Sequence, residues 1–120
     1  MSNETPVLDD NLIAELRDSV GGDDTFVAEL AAAYLAEGPG YMQALEDAVA
    51  SGDVAAAVRP AHTLKSSSAS LGAMRLSEIS RGIEQAAREG RADGLAAAVE
   101  EAKTAWTDTV AAMTERGLAG

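Results

Sequence analysis

Apolar residues recur along the chain at helical spacing, and glycine-marked breaks divide them into segments. Leu8, Leu12, Ile13 and Leu16 share one face of a short first helix, ended by Gly21-Gly22. Asp23 or Asp24 can cap the next helix, in which Phe26, Leu30 and Tyr34 recur every four residues. Gly38-Pro39-Gly40 reads as its stop, because proline suits the first turn of a new helix. Met42, Leu45 and Val49 then mark a third helix, and Ser51-Gly52-Asp53 a turn followed by a cap. Val54, Val58, Ala61, Leu64, Ser68 and Leu71 form the next stripe, with Gly72 at its end. Leu76, Ile79, Ile83 and Ala86 form another, ended by Gly90. Asp93 is placed to cap a last helix whose stripe is Leu95, Val99, Ala102, Trp106, Val110 and Met113.

Every connection is short, and short connections between helices force antiparallel neighbours. The pattern therefore predicts an all-α fold: an up-and-down antiparallel four-helix bundle with short extra N-terminal helices. Residues 1–120 read as one domain, with residues 1–6 a disordered polar lead. Met1 and the polar ends lead to the expectation of a free-standing protein. Pro60 conflicts with its surroundings, since inside a helix it removes the bond to the carbonyl of Ala56. Either a helix begins near Arg59, or a longer helix from Asp53 is kinked there.

Composition agrees with this. Aromatics are 3% of the chain with a single Trp106, so the core is built from Ala, Leu, Val and Ile, and Ala is the best helix former. The absence of cysteine excludes disulfides, thiolate metal sites and a cysteine nucleophile. No signal-like segment and no run of about 20 apolar residues is present, which leads to the expectation of a cytoplasmic protein. The formal charge of −11 argues against nucleic acid and anionic membrane surfaces as partners. The charge is unevenly placed. From Val54 to Ser77, 24 residues hold no Asp or Glu but include Arg59, Lys65 and Arg75, so this segment carries +3. A cationic island in an acidic chain is a place for an anion.

The only histidine, His62, lies on that island. On a helical wheel it falls about 100° from the centre of its helix's apolar stripe, hence at the edge, partly shielded and partly wet. Arg59, Lys65, Ser66 and Ala69 stand at −3, +3, +4 and +7 from it and share its face. Helical side chains lean toward the N-terminus, bringing Lys65 and Ser66 back over the turn that carries His62. Histidine ordinarily titrates at about 6.5, so a neutral, nucleophilic imidazole is available near pH 7. A phosphoryl group on a ring nitrogen would bring negative charge that Lys65 could offset. The small Ser66 and Ala69 would leave the imidazole open to a bulky partner. The plain alternative is a half-buried histidine at a helix edge with no chemical role.

Other chemistries lack their constellations. One histidine and no cysteine make a metal site improbable, and the residue three before His62 is Arg59, not the Glu of a di-iron bundle. Ser66-Ser67-Ser68 has no G-x-S-x-G elbow around it. Ser67 and Ser68 read instead as thin packing, their hydroxyls bonded to carbonyls one turn earlier. No phosphate-binding glycine loop is present, so no ATP site is expected and any phosphoryl group must come from another protein.

The run Ala61-His62-Thr63-Leu64-Lys65-Ser66-Ser67-Ser68-Ala69-Ser70-Leu71-Gly72-Ala73 resembles the histidine phosphotransfer (HPt) domain motif, A-H-x-L-K-G-S-S-x-x-[LI]-G-A. Weaker likeness extends over about residues 8–115, including Leu76, Ile83, Glu84 and Ala86 to Gly90 in the later segment. The resemblance implies a phosphocarrier, not an ATP-using enzyme: His62 as phosphoacceptor, Lys65 steadying the phosphoryl group, and Gly72 allowing tight packing. It implies relay between aspartates of response-regulator receiver domains, with a hybrid histidine kinase upstream. The Mg²⁺ of that exchange would belong to the receiver, so no cofactor is expected. Arg59, Ser66 and Ala69 would face the receiver, and one such patch suits a monomer. The chain departs from the motif at Ser66, where glycine is usual. A non-catalytic module that binds a receiver without being phosphorylated is the alternative that this departure keeps in view.

Overall fold

The computed structural model describes residues 5–118 and is helical throughout, with no strand among them. Its five α-helices are, in order, α1 (Asp10–Ser19), α2 (Asp24–Ser51), α3 (Val58–Ser70), α4 (Met74–Arg88) and α5 (Leu95–Glu115). A 3-10 turn, Val54–Ala57, leads into α3. Helices α2 to α5 close a four-membered ring: α2 packs on α3, α3 on α4, α4 on α5, and α5 back on α2. Helix α1 is the one extra N-terminal helix, tucked across the end of the bundle. No helix among the described residues is long and apolar enough to cross a membrane.

Two helices expected from the sequence are one. Helix α2 runs 28 residues straight through Gly38-Pro39-Gly40. At 1.5 Å per residue that is about 42 Å, the full length of the 44 Å molecule. Pro39 removes the hydrogen bond to Leu35, at a local cost of about 3 kcal/mol. It lies on the exposed face, while Gly38 and Met42 on the inner face are buried. Burial along the whole inner face outweighs the local break.

That inner face is also turned by one residue from the expected stripe. Val27 and Ala31 are buried with Tyr34, whereas Phe26 and Leu30 are 41% and 36% exposed. The reason is the large partner, Trp106 of α5. Its ring packs with Tyr34 at a centroid distance of 5.3 Å and fills the space beside Gly38, where a Cβ would overlap the indole. The helix orients so that its small residues meet Trp106.

Trp106 joins two apolar clusters. One lies among α2, α3, α4 and α5 and includes Leu45, Leu64, Leu76 and Ile83, all essentially fully buried. Each such side chain contributes roughly 1.5–3 kcal/mol. The other caps the N-terminal end and includes Leu8, Ile13, Val27, Leu71 and Met113.

The helix ends explain the path between them. Asp9 caps α1 and Asp23 caps α2. Asp53 caps the 3-10 turn through Ala56 N at 3.3 Å. Helix α3 starts at Val58, which resolves the conflict at Pro60: the proline sits in the first turn, where its missing N–H has no intrahelical partner to lose. Asp93 does not cap α5. Gly94 occupies that position at φ +78°, with no side-chain cap bond. Gly72 comes just after α3 at φ +78°; an added Cβ would meet Asp9 O at 3.1 Å, and Asp9 N donates to Gly72 O at 2.8 Å. This glycine lets α1 close against the α3–α4 turn.

Of the polar lead, residues 1–4 lie outside the described residues. Thr5 and Pro6 are not loose: Arg75 Nε donates to Thr5 O at 2.9 Å and Arg75 N to Pro6 O at 3.0 Å.

Candidate functional site

Helices α3 and α4 form a tight antiparallel pair because only Leu71, Gly72 and Ala73 join them. Small buried residues line their seam, among them Ala61, Ser68, Ser77 and Ser80. Ser77 Oγ also donates to Lys65 O at 2.9 Å across it. This close approach brings Glu84 of α4 beneath His62 of α3.

The His62 side chain is 53% exposed, as its place at the stripe's edge requires, while Glu84 is 8% exposed. His62 Nδ1 and Glu84 Oε2 are 3.0 Å apart. Lys65 Nζ lies 2.8 Å from Glu84 Oε1. Arg88 donates to Oε2 from Nη2 at 2.7 Å and from Nε at 3.0 Å. One carboxylate therefore gathers an imidazole, an ammonium and a guanidinium.

Lys65, then Arg88, with a smaller part from His62, hold the Glu84 carboxyl down at about 2, against the opposing effect of burial. Glu84 is thus ionised at neutral pH, and an ionised carboxylate only accepts. The proton shared with His62 must then sit on Nδ1. A neutral imidazole so held has its lone pair on Nε2, the nitrogen without a hydrogen bond to any described residue. The arrangement presents a single, oriented nucleophilic nitrogen at a helix surface.

Arg59, Ser66 and Ala69 are on α3, and all three are open to solvent. Lys65 is turned to the Glu84 carboxylate, with a side chain 31% exposed. Ser67 donates to Thr63 O at 2.9 Å, as expected of a helical serine. Ser68 does not turn back in that way. Its hydroxyl meets Tyr34 OH of α2 at 2.7 Å, in a buried pair where burial pushes the tyrosine up to about 12.

Helical spacing around His62 does not reveal Glu84 or Arg88 as parts of the site. The available signal is a carboxylate beside the buried Ile83, four residues before Arg88. A buried acid needs partners, but its partner His62 is 22 residues away, and only the folding of α4 onto α3 brings them together.

Two clefts run between α4 and α5, one lined by Arg75, Glu78, Glu100, Glu101 and Asp108, the other by Gly82, Ala86, Arg91 and Leu95; neither takes in His62. Among the described residues no group of three or more His, Asp or Glu is placed to hold a metal ion.

Comparison with known proteins identifies the family and the fold. The Hpt domain family matches residues 29–116. The fold is similar to the crystal structure of histidine-containing phosphotransfer protein B from Pseudomonas aeruginosa PAO1, with a TM-score of 0.85 and 22% identity over 94% of this chain and 96% of that one. No curated protein sequence matches the chain.

Proposed function

Since the chain belongs to the Hpt domain family, and is a phosphocarrier of that kind, we propose that His62 Nε2 is the atom that carries its phosphoryl group. The observation behind this reading is the pairing of His62 Nδ1 with the ionised Glu84, which leaves Nε2 as the exposed, unprotonated nitrogen.

The chemistry of transfer is simple in this geometry. An aspartyl phosphate of a receiver domain approaches the α3 surface. The Nε2 lone pair forms a bond to phosphorus as the phosphorus–oxygen bond to the aspartyl carboxyl breaks, and that electron pair leaves with the receiver's carboxylate. No proton has to move. The ring gains positive charge, and Glu84, already on Nδ1–H, offsets it. Transfer onward to a second receiver is the same step reversed. Lys65 has three N–H donors; one held by Glu84 leaves the others to turn toward the phosphoryl oxygens one helical turn away.

Arg59 and Ala69 share the exposed α3 face with His62 and would meet the receiver. On this reading the chain uses no cofactor and no ATP: the Mg²⁺ belongs to the receiver, and the hybrid histidine kinase upstream binds the nucleotide. A monomer in the cytoplasm suffices, because one exposed patch performs both transfers.

Incubating wild type and His62→Gln with phosphorylated receiver domains tests the assignment. Acid-labile, base-stable label on wild type alone is the expected result. The variant should fold normally, since the side chain is more than half exposed. Label that persists on His62→Gln would sink the assignment. Receiver binding without any label on wild type would instead make the chain a non-catalytic module.

A further inference from the structure

Around His62 the cations are largely committed. Lys65 and Arg88 both pair with Glu84. Arg59 is exposed, but it precedes His62 by three residues, and helical side chains lean toward the N-terminus, so it leans away from the imidazole. Ser66 comes four residues after His62 and leans back over it, the Cβ atoms at that spacing standing about 5–6 Å apart.

The hydroxyls of the neighbouring serines already have partners within the protein. Ser67 donates to Thr63 O at 2.9 Å, Ser70 to Ser66 O at 3.0 Å, and Ser68 pairs with Tyr34 at 2.7 Å. Ser66 is exposed, and its Oγ makes no hydrogen bond among the described residues. It also stands where the motif that this segment resembles carries glycine.

We propose that the Ser66 hydroxyl donates a hydrogen bond to the phosphoryl group on His62, making Ser66 a catalytic residue that stabilises the phosphorylated state of this chain. This rests on His62 as the phosphoacceptor. A phosphoryl group on Nε2 extends outward from the α3 surface, beyond the buried Glu84 and into the zone that the Ser66 side chain overhangs. Its oxygens are anionic acceptors, and a hydroxyl is the donor already there. The same side chain narrows the approach to the imidazole. Ser66 therefore does two separable things: its hydroxyl biases the equilibrium toward phosphohistidine, and its bulk slows transfer in both directions.

The equilibrium constant for transfer from a phosphorylated receiver separates these effects, because bulk alone changes forward and reverse rates equally. Ser66→Ala should lower that constant about three- to tenfold, the effect of one hydrogen bond. Ser66→Gly should lower it equally while raising both rates. Ser66→Thr, which keeps the hydroxyl, should hold the wild-type constant. A labelled wild type whose constant Ser66→Ala shares would overturn the role of Ser66 and leave His62 standing. A wild type that no receiver labels, or label that survives His62→Gln, would overturn both.

Discussion

Glu84 accepts the Nδ1–H of His62 at 3.0 Å across the α3–α4 seam, and this contact orients the imidazole and chooses its tautomer. Glu84→Gln keeps the shape but removes the charge that pins the proton. An amide can also donate to Nδ1 and so favour the wrong tautomer. Phosphotransfer to Glu84→Gln should slow about 10- to 100-fold, the range for carboxylates that orient a metal-bound imidazole. Single-turnover transfer from one phosphorylated receiver, with receiver affinity measured in parallel, checks this. An unchanged rate would show that the tautomer is set elsewhere.

The same carboxylate couples stability to pH. Its folded-state value of about 2 lies below the ordinary 4.5. The unfolded chain therefore binds this proton more readily, and stability from the group is complete above about pH 4.5 and lost as pH falls toward 2. Wild type should lose stability across that window more steeply than Glu84→Gln. Urea unfolding at pH 7, 4.5 and 2.5 reads the difference, and parallel curves for the two proteins would contradict it.

Gly38 is required by Trp106 rather than by its own backbone, since a Cβ there would overlap the six-membered ring of the indole. Gly38→Ala should destabilise the protein by about 1–3 kcal/mol, the usual range for overpacking. The penalty should shrink in a Trp106→Phe background, because the overlapping atoms are those phenylalanine lacks. A double-mutant cycle by urea unfolding measures the coupling; zero coupling would mean that the helix simply shifts.

Pro39 is the complementary case, a residue that breaks a rule on an exposed face. Pro39→Ala restores a backbone donor to an exposed helix position. Stability should rise, by up to about 3 kcal/mol. A fall in the denaturation midpoint would show that the proline serves α2 by restricting the unfolded chain.

Much of this is legible in the residues. Helical periodicity, short glycine-marked turns and an alanine-rich apolar set are enough for an all-α bundle, because a helix must bury one stripe and short loops allow few arrangements. His62 and its neighbours at one-turn spacing are legible for the same reason: they share a helix, and helix geometry is local. Expectation and structure part where distant contacts overrule local preference. Pro39 stops an isolated helix but not one held along its whole length by α3 and α5. Phe26 and Leu30 share a period with Tyr34, yet Trp106, about 80 residues away, turns Val27 and Ala31 inward instead. Asp93 resembles a cap, but Gly94 adopts the left-handed backbone at which α5 begins.

The chain by itself thus determined the helical class, the turns outside α2 and the exposed histidine, set by neighbours within a few residues, but not the continuity of α2 through Pro39. Only the tertiary structure decided which nitrogen of His62 faces outward. That choice depends on the ionised Glu84, 22 residues away, and a charge can direct a proton only once folding has brought it within hydrogen-bonding distance.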